Sequence, residues 1–283
     1  MKILVTGSSG FLGSYLLENL DKSIQIEKFE RKNIKKTDWN EIDGVIHCAG
    51  LAHNSHNKNL YNKYYSANFK LTKDIFLKFN NSNAKFFIFI STSTVYENCP
   101  TIACEKKIGK DLSIYAKTKL LAEKYILQKV SDKKVFVFRP SVIVGKNPKG
   151  NIELLSKIIK IKIPIPIPKK SAPNNLTDIR NLLYVIHFFI KNYFKIGSGV
   201  YNIRDNKRPD LKSLLIKIAK HEKQVLNFFK LPKIFFYVFV RIIQLFLPEI
   251  ASKLKRLLFV NLQIDNNKLN SIIGKNLPFN SFE

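Results

Sequence analysis

The stretch KILVTGSSGFLGSYLLENL, residues 2–20, decides the fold of this protein. Residues 2–6 have the composition of a short buried strand, and residues 11–20 place Leu12, Leu16 and Leu20 on one face of a helix. Three glycines, at positions 7, 10 and 13, lie between these two elements and just inside the second one. The stretch therefore predicts a strand, a glycine-rich turn and a helix.

The glycines suit a turn that holds a dinucleotide. Gly7 permits a tight turn, Gly10 lets the backbone approach a pyrophosphate, and Gly13 lets the helix pack closely on the strand. The helix then presents its unpaired N–H groups and the positive end of its dipole to phosphate. We expect Phe11 and Leu12 to contact the same cofactor. The alternative is a plain glycine turn.

Strands and helices alternate through the first half of the chain. Their patterns predict strands at 24–29, 45–47, 85–90 and 135–139, and helices at 67–79 and 113–130. This alternation is typical of parallel βαβ units. We therefore expect an α/β fold with a Rossmann, doubly wound parallel sheet.

The composition changes after Pro140, where a second region is expected. Prolines become frequent there, and residues 210–283 have mostly helical patterns. We expect an NAD(P)-binding domain over 1–145, to which a helix and a strand return near 176–203. A smaller, mostly helical C-terminal lobe for the substrate is expected to comprise 146–175 and 204–283.

The end of the second strand bears on the choice of cofactor. Glu30 is placed to accept hydrogen bonds from the adenosine ribose, as in NAD-binding proteins. Arg31 and Lys32 follow it and can instead pair with the 2′-phosphate of NADP. Both NAD and NADP stay open, and we favour NAD.

Two hydroxyl groups and a lysine have a spacing that suits proton transfer. Tyr115 and Lys119 are four residues apart and so share one face of the predicted helix. A phenol exchanges protons near neutral pH only when its pKa is lowered, and a nearby ammonium has that effect. Thr92 follows a predicted buried strand, at the functional edge of an α/β sheet. A surface Tyr–Lys pair and a hydroxyl turn are the structural alternatives.

These motifs occur in a fixed order along the chain. GSSGFLG at 7–13 is followed by HCAG at 47–50, STSTVY at 91–96 and YAKTK at 115–119. In this order they resemble the extended short-chain dehydrogenase/reductases, and among them the NAD-dependent epimerase/dehydratase family, which modifies nucleotide sugars. The resemblance covers nearly the whole chain and implies an NAD(P)-dependent enzyme.

The resemblance also implies roles for individual residues. Thr92 would be the catalytic threonine and Tyr115 the acid and base. Lys119 would bind the nicotinamide ribose and lower the pKa of Tyr115. Further cofactor contacts are implied at Asp38, Trp39, Ala49, Gly50, Asn68 and Pro140, and substrate contacts at Thr92, Lys149 and Asn151.

Later motifs narrow the resemblance to one branch. RPSVIVG at 139–145, followed by KGN at 149–151, resembles reductases of UDP-4-keto-6-deoxy-N-acetylhexosamines and related 4-epimerases. This implies reduction of the C4 keto group of a nucleotide-linked deoxy-N-acetylhexosamine in surface-polysaccharide biosynthesis. A nucleotide-sugar 4-epimerase is the first alternative, and a non-catalytic NAD(P)-binding sensor is the second.

Two features depart from the patterns of relatives. Ser93 and Thr94 stand where sugar dehydratases carry Asp-Glu, so the groups that expel water are missing. Asn174 stands where relatives carry an arginine for the nucleotide diphosphate. Arg180 and Lys170 are candidates to replace that arginine.

Composition bears on partners and location. The net charge is +27, but no run of five or six cations occurs, so a basic composition with an acidic small substrate is favoured over nucleic acid. Cys48, Cys99 and Cys104 lack the spacing of a disulfide framework or zinc site, so we expect no metal. A strand begins at once, without a signal peptide before it, and a cytoplasmic location is expected.

An apolar stretch, IFFYVFVRIIQLFL at 234–247, lies near the C-terminal end. As a helix it would extend about 21 Å, less than the roughly 30 Å hydrocarbon core of a bilayer, so we do not expect it to span one. We favour a buried helix of the substrate lobe or a contact in a homodimer. The alternative is peripheral contact with the inner face of the membrane through 228–256.

Overall fold

A six-stranded parallel sheet forms the centre of the protein in the computed structural model. The structure describes residues 1–30, 34, 37–52, 60–100, 102–130, 132–145, 151–162, 164–168, 171–246 and 262–282. The sheet consists of β1 (Lys2–Thr6), β2 (Gln25–Phe29), β3 (Gly44–His47), β4 (Phe86–Ile90), β5 (Lys134–Pro140) and β9 (Gly199–Ile203). Its strand order is β2-β1-β3-β4-β5-β9.

Helices cover both faces of this sheet because its strands are apolar on both sides. One face carries α1 (Phe11–Asn19) and α6 (Ile179–Asn192), which bury side chains such as Leu16 and Phe189 there. The other carries α3 (Leu71–Asn80) and α4 (Ile114–Gln128), with Phe76 and Ile126 buried. This arrangement confirms the predicted doubly wound Rossmann fold.

A third apolar cluster forms the smaller lobe. It contains side chains from α5 (Asn151–Lys160), α7 (Leu211–His221) and α8 (Lys233–Phe246). Two strand pairs support it: β6 (Val142–Val144) with β8 (Leu176–Asp178), and β7 (Ile165–Pro168) with β10 (Phe228–Leu231). The structure differs from the expectation here, since β10 falls in a region expected to be mostly helical and β7 in one expected to be partly loop. Among the described residues, β7 pairs with β10 along one edge. Its prolines, which lack an N–H group, therefore interrupt no hydrogen bonds to a strand on the other edge.

The predicted helix at 67–79 is part of a longer helical segment with a wider turn. The segment begins with α2 (Tyr61–Tyr64), continues as a π-helical turn over Tyr65–Lys70, and ends as α3. π-Helical turns are rare and often mark functional sites. This one contains Asn68, whose side chain is fully buried.

The end of the chain returns to the sheet. The last helix, α9 (Asn267–Ile273), buries Leu269 in the cluster shared by α1 and α6. The expected assignment of all of 204–283 to the substrate lobe therefore does not hold for α9. The reason is that Leu269, Ile273 and Leu277 are apolar and pack against the edge of the sheet domain beside β9.

Candidate active site

The glycine turn after β1 closes tightly onto the start of α1. Gly7 has a φ of 69°, which favours glycine, and its carbonyl accepts a 2.9 Å hydrogen bond from the Gly10 amide. A Cβ on Gly13 would lie 2.0 Å from the Gly7 oxygen. Gly10 is the N-cap of α1 and has no side chain that could cap the helix. The first N–H groups of α1 therefore face the turn with no capping side chain bound to them.

A cavity of about 410 Å³ extends from this turn to the carboxyl end of β4 and the start of α4. The predicted site residues that line it are Gly7, Gly10, Phe11, Leu12, Gly13, Gly50, Thr92, Tyr115, Lys119 and Pro140. The cavity also has walls that sequence reasoning missed, namely Cys48, Leu51, Ala52, Ile90, Ser91, Ser141 and Ile143. Each of these residues stands at or shortly after the end of β3, β4 or β5. Their position at the carboxyl ends of predicted strands could have identified them from the sequence. The glycine turn, the start of α1 and the cavity together fit a nicotinamide dinucleotide.

Asn68 fixes the loop after β3 against the helix that bears Tyr115. Its side-chain oxygen accepts a 2.7 Å bond from the Leu51 amide, and its nitrogen donates to Thr118 Oγ1 over 3.1 Å. A Cβ on Gly50 would lie 2.8 Å from that Asn68 oxygen, so the loop needs glycine there. In the structure Asn68 positions the cavity wall; its implied contact with the cofactor stays a prediction.

His47 is a structural residue at the end of β3. Its Nδ1 lies 2.6 Å from Thr6 Oγ1 and its Nε2 lies 2.8 Å from Thr72 Oγ1. Complete burial lowers the pKa of His47 well below its ordinary value, so the ring is neutral. Ala49, which follows, donates its amide to the same Thr6 hydroxyl over 3.1 Å. The motif at 47–50 thereby ties β1, β3 and α3 together beneath the cavity.

Thr92 and Tyr115 meet at the rim of the cavity. Thr92 ends the segment after β4 and caps a short 3₁₀ turn, accepting a 3.1 Å bond from the Thr94 amide. Its hydroxyl also lies 2.5 Å from Thr94 Oγ1. Tyr115 stands in the first turn of α4, which Ser113 caps, and lines the same cavity as Thr92. The sequence prediction that these two hydroxyls converge agrees with this geometry.

Lys119 lies one helical turn beyond Tyr115 and points to the same cavity. Its Nζ donates to the carbonyl of Ile90 over 2.7 Å and lies 4.5 Å from the centre of the Phe89 ring. The side chain is 4% exposed. A Cβ on Gly50 would be 3.4 Å from the Lys119 nitrogen. The ammonium therefore stands between the end of β4 and the loop after β3.

Burial is the largest influence on the pKa values of Tyr115 and Lys119. Burial raises the pKa of Tyr115 to about 12, although the hydrogen bond from Thr92 opposes the change. Burial also lowers the pKa of Lys119 to about 8. The expectation that Lys119 lowers the pKa of Tyr115 stays a prediction, and in this arrangement the loss of solvent around the phenol is the larger effect. Tyr115 is consequently protonated near neutral pH.

Among the residues predicted for the adenosine end, those that the structure describes do not line the cavity. Glu30 directly follows β2 and is exposed, and Arg31 lies outside the described residues. Asp38 accepts a bond from the Asn40 amide over 3.0 Å and so caps a 3₁₀ turn. Trp39 is a core residue, 6.5 Å from Phe29 between ring centres. Their contacts with adenosine stay predictions.

A buried polar network, which the sequence did not reveal, supports the catalytic helix from behind. Arg139 on β5 forms an ion pair with Glu123 on α4, with Nη2 and Oε2 2.5 Å apart, and both side chains are at most 3% exposed. Glu123 also accepts a short hydrogen bond from Ser91. Arg139 continues to Tyr96 over 2.8 Å, and Tyr96 donates to Asn202 on β9. The network joins three strand ends to α4.

None of the residues proposed to bind the substrate diphosphate is placed in the cavity by the described part of the structure. Arg180 is held by Asp178, with Nη2 and Oδ2 2.7 Å apart, and its guanidinium lies over Phe279 rather than in the cavity. Lys149 and Lys170 lie outside the described residues, and Asn151 begins α5, where its side chain is not described. A cation beside Asn174 is Arg208, whose Nη2 donates to the carbonyl of Pro173 over 3.3 Å.

Metal chemistry was not expected from the sequence. Within the described parts of the chain, no group of three or more His, Cys, Asp or Glu side chains could hold a metal ion. The three cysteines are free thiols and do not pair.

Comparisons with known proteins agree with this site. UDP-glucose 4-epimerase of Vibrio cholerae is 29% identical over 245 residues, which is 77% of this chain and 74% of that protein. The N-acetyl-alpha-D-glucosaminyl-diphospho-ditrans,octacis-undecaprenol 4-epimerase of Escherichia coli O157:H7 is 24% identical over 246 residues, 80% of this chain and 72% of that protein. A solved structure of UDP-glucuronic acid 4-epimerase from Bacillus cereus in complex with NAD has a TM-score of 0.73 at 19% identity, covering 99% of this chain and 93% of that one.

A family model decides the classification. The model of the NAD dependent epimerase/dehydratase family matches residues 3–203, from β1 to the end of β9. This confirms the predicted enzyme class and the nicotinamide cofactor, with the choice between NAD and NADP left open. Since the match takes in the glycine turn, the HCAG turn, Thr92, Tyr115 and Lys119 in their predicted order, the chain belongs to the NAD dependent epimerase/dehydratase family.

Proposed function

We propose that this protein is a nucleotide-sugar 4-epimerase that acts on C4 of a diphosphate-linked hexose or N-acetylhexosamine. The observation that carries the proposal is that Thr92, Tyr115 and Lys119 together line the cavity that starts at the glycine turn. Thr92 and Tyr115 offer two hydroxyl groups to one oxygen of a substrate. Lys119 stands on the same wall, where it can hold a ribose hydroxyl.

In this proposal the chain's own residues bind the sugar oxygen and move its proton. Thr92 holds the C4 oxygen in place by a hydrogen bond. Tyr115 takes the proton from that oxygen when the sugar is oxidised and returns it when the keto group is reduced. Lys119 orients the nicotinamide ribose and favours the phenolate by its charge once Tyr115 has released a proton. A nicotinamide dinucleotide held by the glycine turn and Lys119 would supply the hydride acceptor and donor for C4. The configuration at C4 would be inverted because the keto sugar turns over in the site and presents its opposite face before the hydride is returned.

Two lines of support favour different outcomes of the same chemistry. The curated relatives from Vibrio cholerae and Escherichia coli are both named as 4-epimerases, which supports inversion at C4. Reduction of a 4-keto deoxy-N-acetylhexosamine is the second candidate. It is supported by the RPSVIVG and KGN motifs and by the raised pKa of Tyr115, since a protonated phenol suits donation to a keto oxygen.

Arg208 is proposed to take the place of the diphosphate-binding arginine that Asn174 replaces. The backbone of Asn174 donates to the Pro209 carbonyl over 2.8 Å, so the two segments lie side by side. Arg208 reaches across to Pro173 from the neighbouring segment. Its Nη2 also donates to the Leu262 carbonyl over 2.8 Å, so the proposal requires the guanidinium to exchange these carbonyls for the diphosphate when substrate binds.

Incubation with defined sugars tests the proposed reaction. The panel is UDP-glucose, UDP-N-acetylglucosamine, a UDP-4-keto-6-deoxy-N-acetylhexosamine and N-acetylglucosamine-diphospho-polyprenol, each with NAD(H) or NADP(H). Product NMR and cofactor absorbance are followed together. Inversion at C4 without net cofactor change supports the epimerase. Stoichiometric loss of reduced cofactor supports the reductase instead. Reaction at a carbon other than C4 contradicts both.

A further inference from the structure

Helix α8 exposes a continuous apolar face. Its members are Ile234, Phe235, Val238, Ile242 and Leu245, and their exposed fractions range from 52% to 81%. At about 100° per residue these five positions fall within an arc of roughly 100°. We call this set the α8 face. Soluble proteins rarely leave such a contiguous apolar patch uncovered unless it binds a partner.

The same helix is anchored to the lobe by its other side. Val240 is fully buried in the apolar cluster that α5 and α7 share. The expectation of a simply buried helix therefore holds for one side of α8 only. Because Val240 is buried in the lobe and the α8 face lies on the opposite side of the helix, the fold presents the α8 face outward.

The charges around the α8 face have one sign. From Lys223 to Pro248 the sequence contains no Asp or Glu, whereas Lys223, Lys230, Lys233 and Arg241 are cations. Arg241 is exposed and lies at the edge of the α8 face, about 20° beyond Ile234 around the helix. On the neighbouring strand β10, Phe229 and Lys230 are also exposed. The surface therefore combines large apolar side chains with positive charge.

We propose that the α8 face docks on an anionic phospholipid bilayer, with α8 lying parallel to the membrane surface. Large apolar side chains would enter the boundary between headgroups and acyl chains while the cations contact lipid phosphates. A second copy of the chain fits less well, because a symmetric contact would bring two cationic faces together in a protein of net charge +27.

The geometry suits contact with a membrane rather than passage through one. Among the residues that the structure describes, no helix is both long and apolar enough to cross a membrane. The 14 residues of α8 rise about 21 Å along their axis, and the α8 face covers an arc of roughly 100° around that axis. Residues 247–256, the rest of the segment for which membrane contact was considered, lie outside the described residues. This inference does not depend on which sugar reaction the enzyme catalyses.

Vesicle co-sedimentation of the full chain tests the proposal. We expect binding to phosphatidylcholine vesicles that contain phosphatidylglycerol, weaker binding to pure phosphatidylcholine, and loss of binding as salt shortens the electrostatic range. Phe235→Glu and Leu245→Glu should each weaken binding by about tenfold or more, since each removes one large apolar side chain from the contact. Phe194→Glu is the matched control, because Phe194 is 58% exposed and Phe235 61%, but Phe194 lies on the other domain after α6.

Several results would overturn the proposal that the α8 face docks on an anionic bilayer. Wild-type protein that stays in solution with anionic vesicles at low salt overturns the proposal without any variant. Equal losses in Phe194→Glu and Phe235→Glu also overturn it, as does a dimer that Phe235→Glu dissociates while vesicles bind neither form. Circular dichroism checks that each variant is folded. If one of the α8 variants fails to fold, the other variant and Arg241→Gln carry the comparison.

Discussion

Lys119 is the residue whose ionisation the structure alters in the pH range where enzymes are assayed. Its pKa is lowered to about 8, so the ammonium is lost as pH rises through that value. A negatively charged dinucleotide binds the protonated form better, so its affinity should fall as pH rises through about 8. Calorimetric titration with NADH at pH values from about 6.5 to 9.5 measures this. Lys119→Met should remove the pH dependence, whereas Lys117→Met, an exposed lysine on the same helix, should keep it. An unchanged pH dependence in Lys119→Met contradicts this assignment.

Gly10 tests the phosphate turn itself. A Cβ there would lie 3.1 Å from the Gly7 oxygen and would project into the space in front of α1, so Gly10→Val should abolish measurable dinucleotide binding. Gly197→Val is the matched control, because a Cβ at Gly197 meets nothing within 4 Å. Calorimetry on both folded variants gives the comparison. Unaltered affinity in Gly10→Val would remove the turn from the site.

Arg208 tests the proposed replacement for the arginine missing at 174. Arg208→Gln should raise the KM for the sugar nucleotide by roughly tenfold or more, the scale of one lost charge-assisted contact, and leave kcat largely unchanged. Adding an arginine in Asn174→Arg/Arg208→Gln should recover part of the loss. Steady-state kinetics measures both. A fall in kcat with constant KM is incompatible with a role in binding the diphosphate.

Among the elements, α4 and β5 are joined by a buried ion pair that sequence reasoning did not find. Arg139→Met leaves the Glu123 carboxylate buried without its partner and should destabilise the protein by about 3–5 kcal/mol. Arg139→Met/Glu123→Leu should recover much of that stability. Lys157→Met, which breaks the exposed pair with Glu153 on α5, should cost less than about 0.5 kcal/mol. Urea denaturation measures all three. Equal losses in Arg139→Met and Lys157→Met are the contrary result.

Elements with a strong local pattern could be predicted, and those that depend on distant partners could not. The strands of the main sheet and α4 have periodic apolar residues that determine their type within a residue or two. β7, with two prolines in four residues, forms a strand only because β10 pairs with it from sixty residues away. The π-helical turn at 65–70 depends on bonds that Asn68 makes to Leu51 and Thr118, which no local pattern encodes.

For the whole molecule, the order of motifs predicted the family and the converging residues, but not their electrostatics. Thr92, Tyr115 and Lys119 could be placed together because parallel strands end at one edge of the sheet. The acidity of Tyr115 depends on how deeply the folded chain buries it, and burial raises the pKa of its phenol, an effect that the spacing to Lys119 does not reveal. The apolar segment near the C-terminus was similarly ambiguous, because only packing around Val240 determines which side of α8 is exposed.

The central claim is that Tyr115 transfers the proton in a reaction at C4 of a sugar. The direct measurement is the turnover of Tyr115→Phe against wild type on the fastest substrate of the panel. The variant keeps the ring and should bind cofactor normally, but its turnover should be lower by roughly 10²–10⁴-fold, the usual contribution of general acid–base catalysis. Tyr125→Phe is the matched control, a tyrosine on the same helix that packs against Phe69 and Phe76, and it should retain turnover. Turnover of Tyr115→Phe equal to wild type would contradict the account.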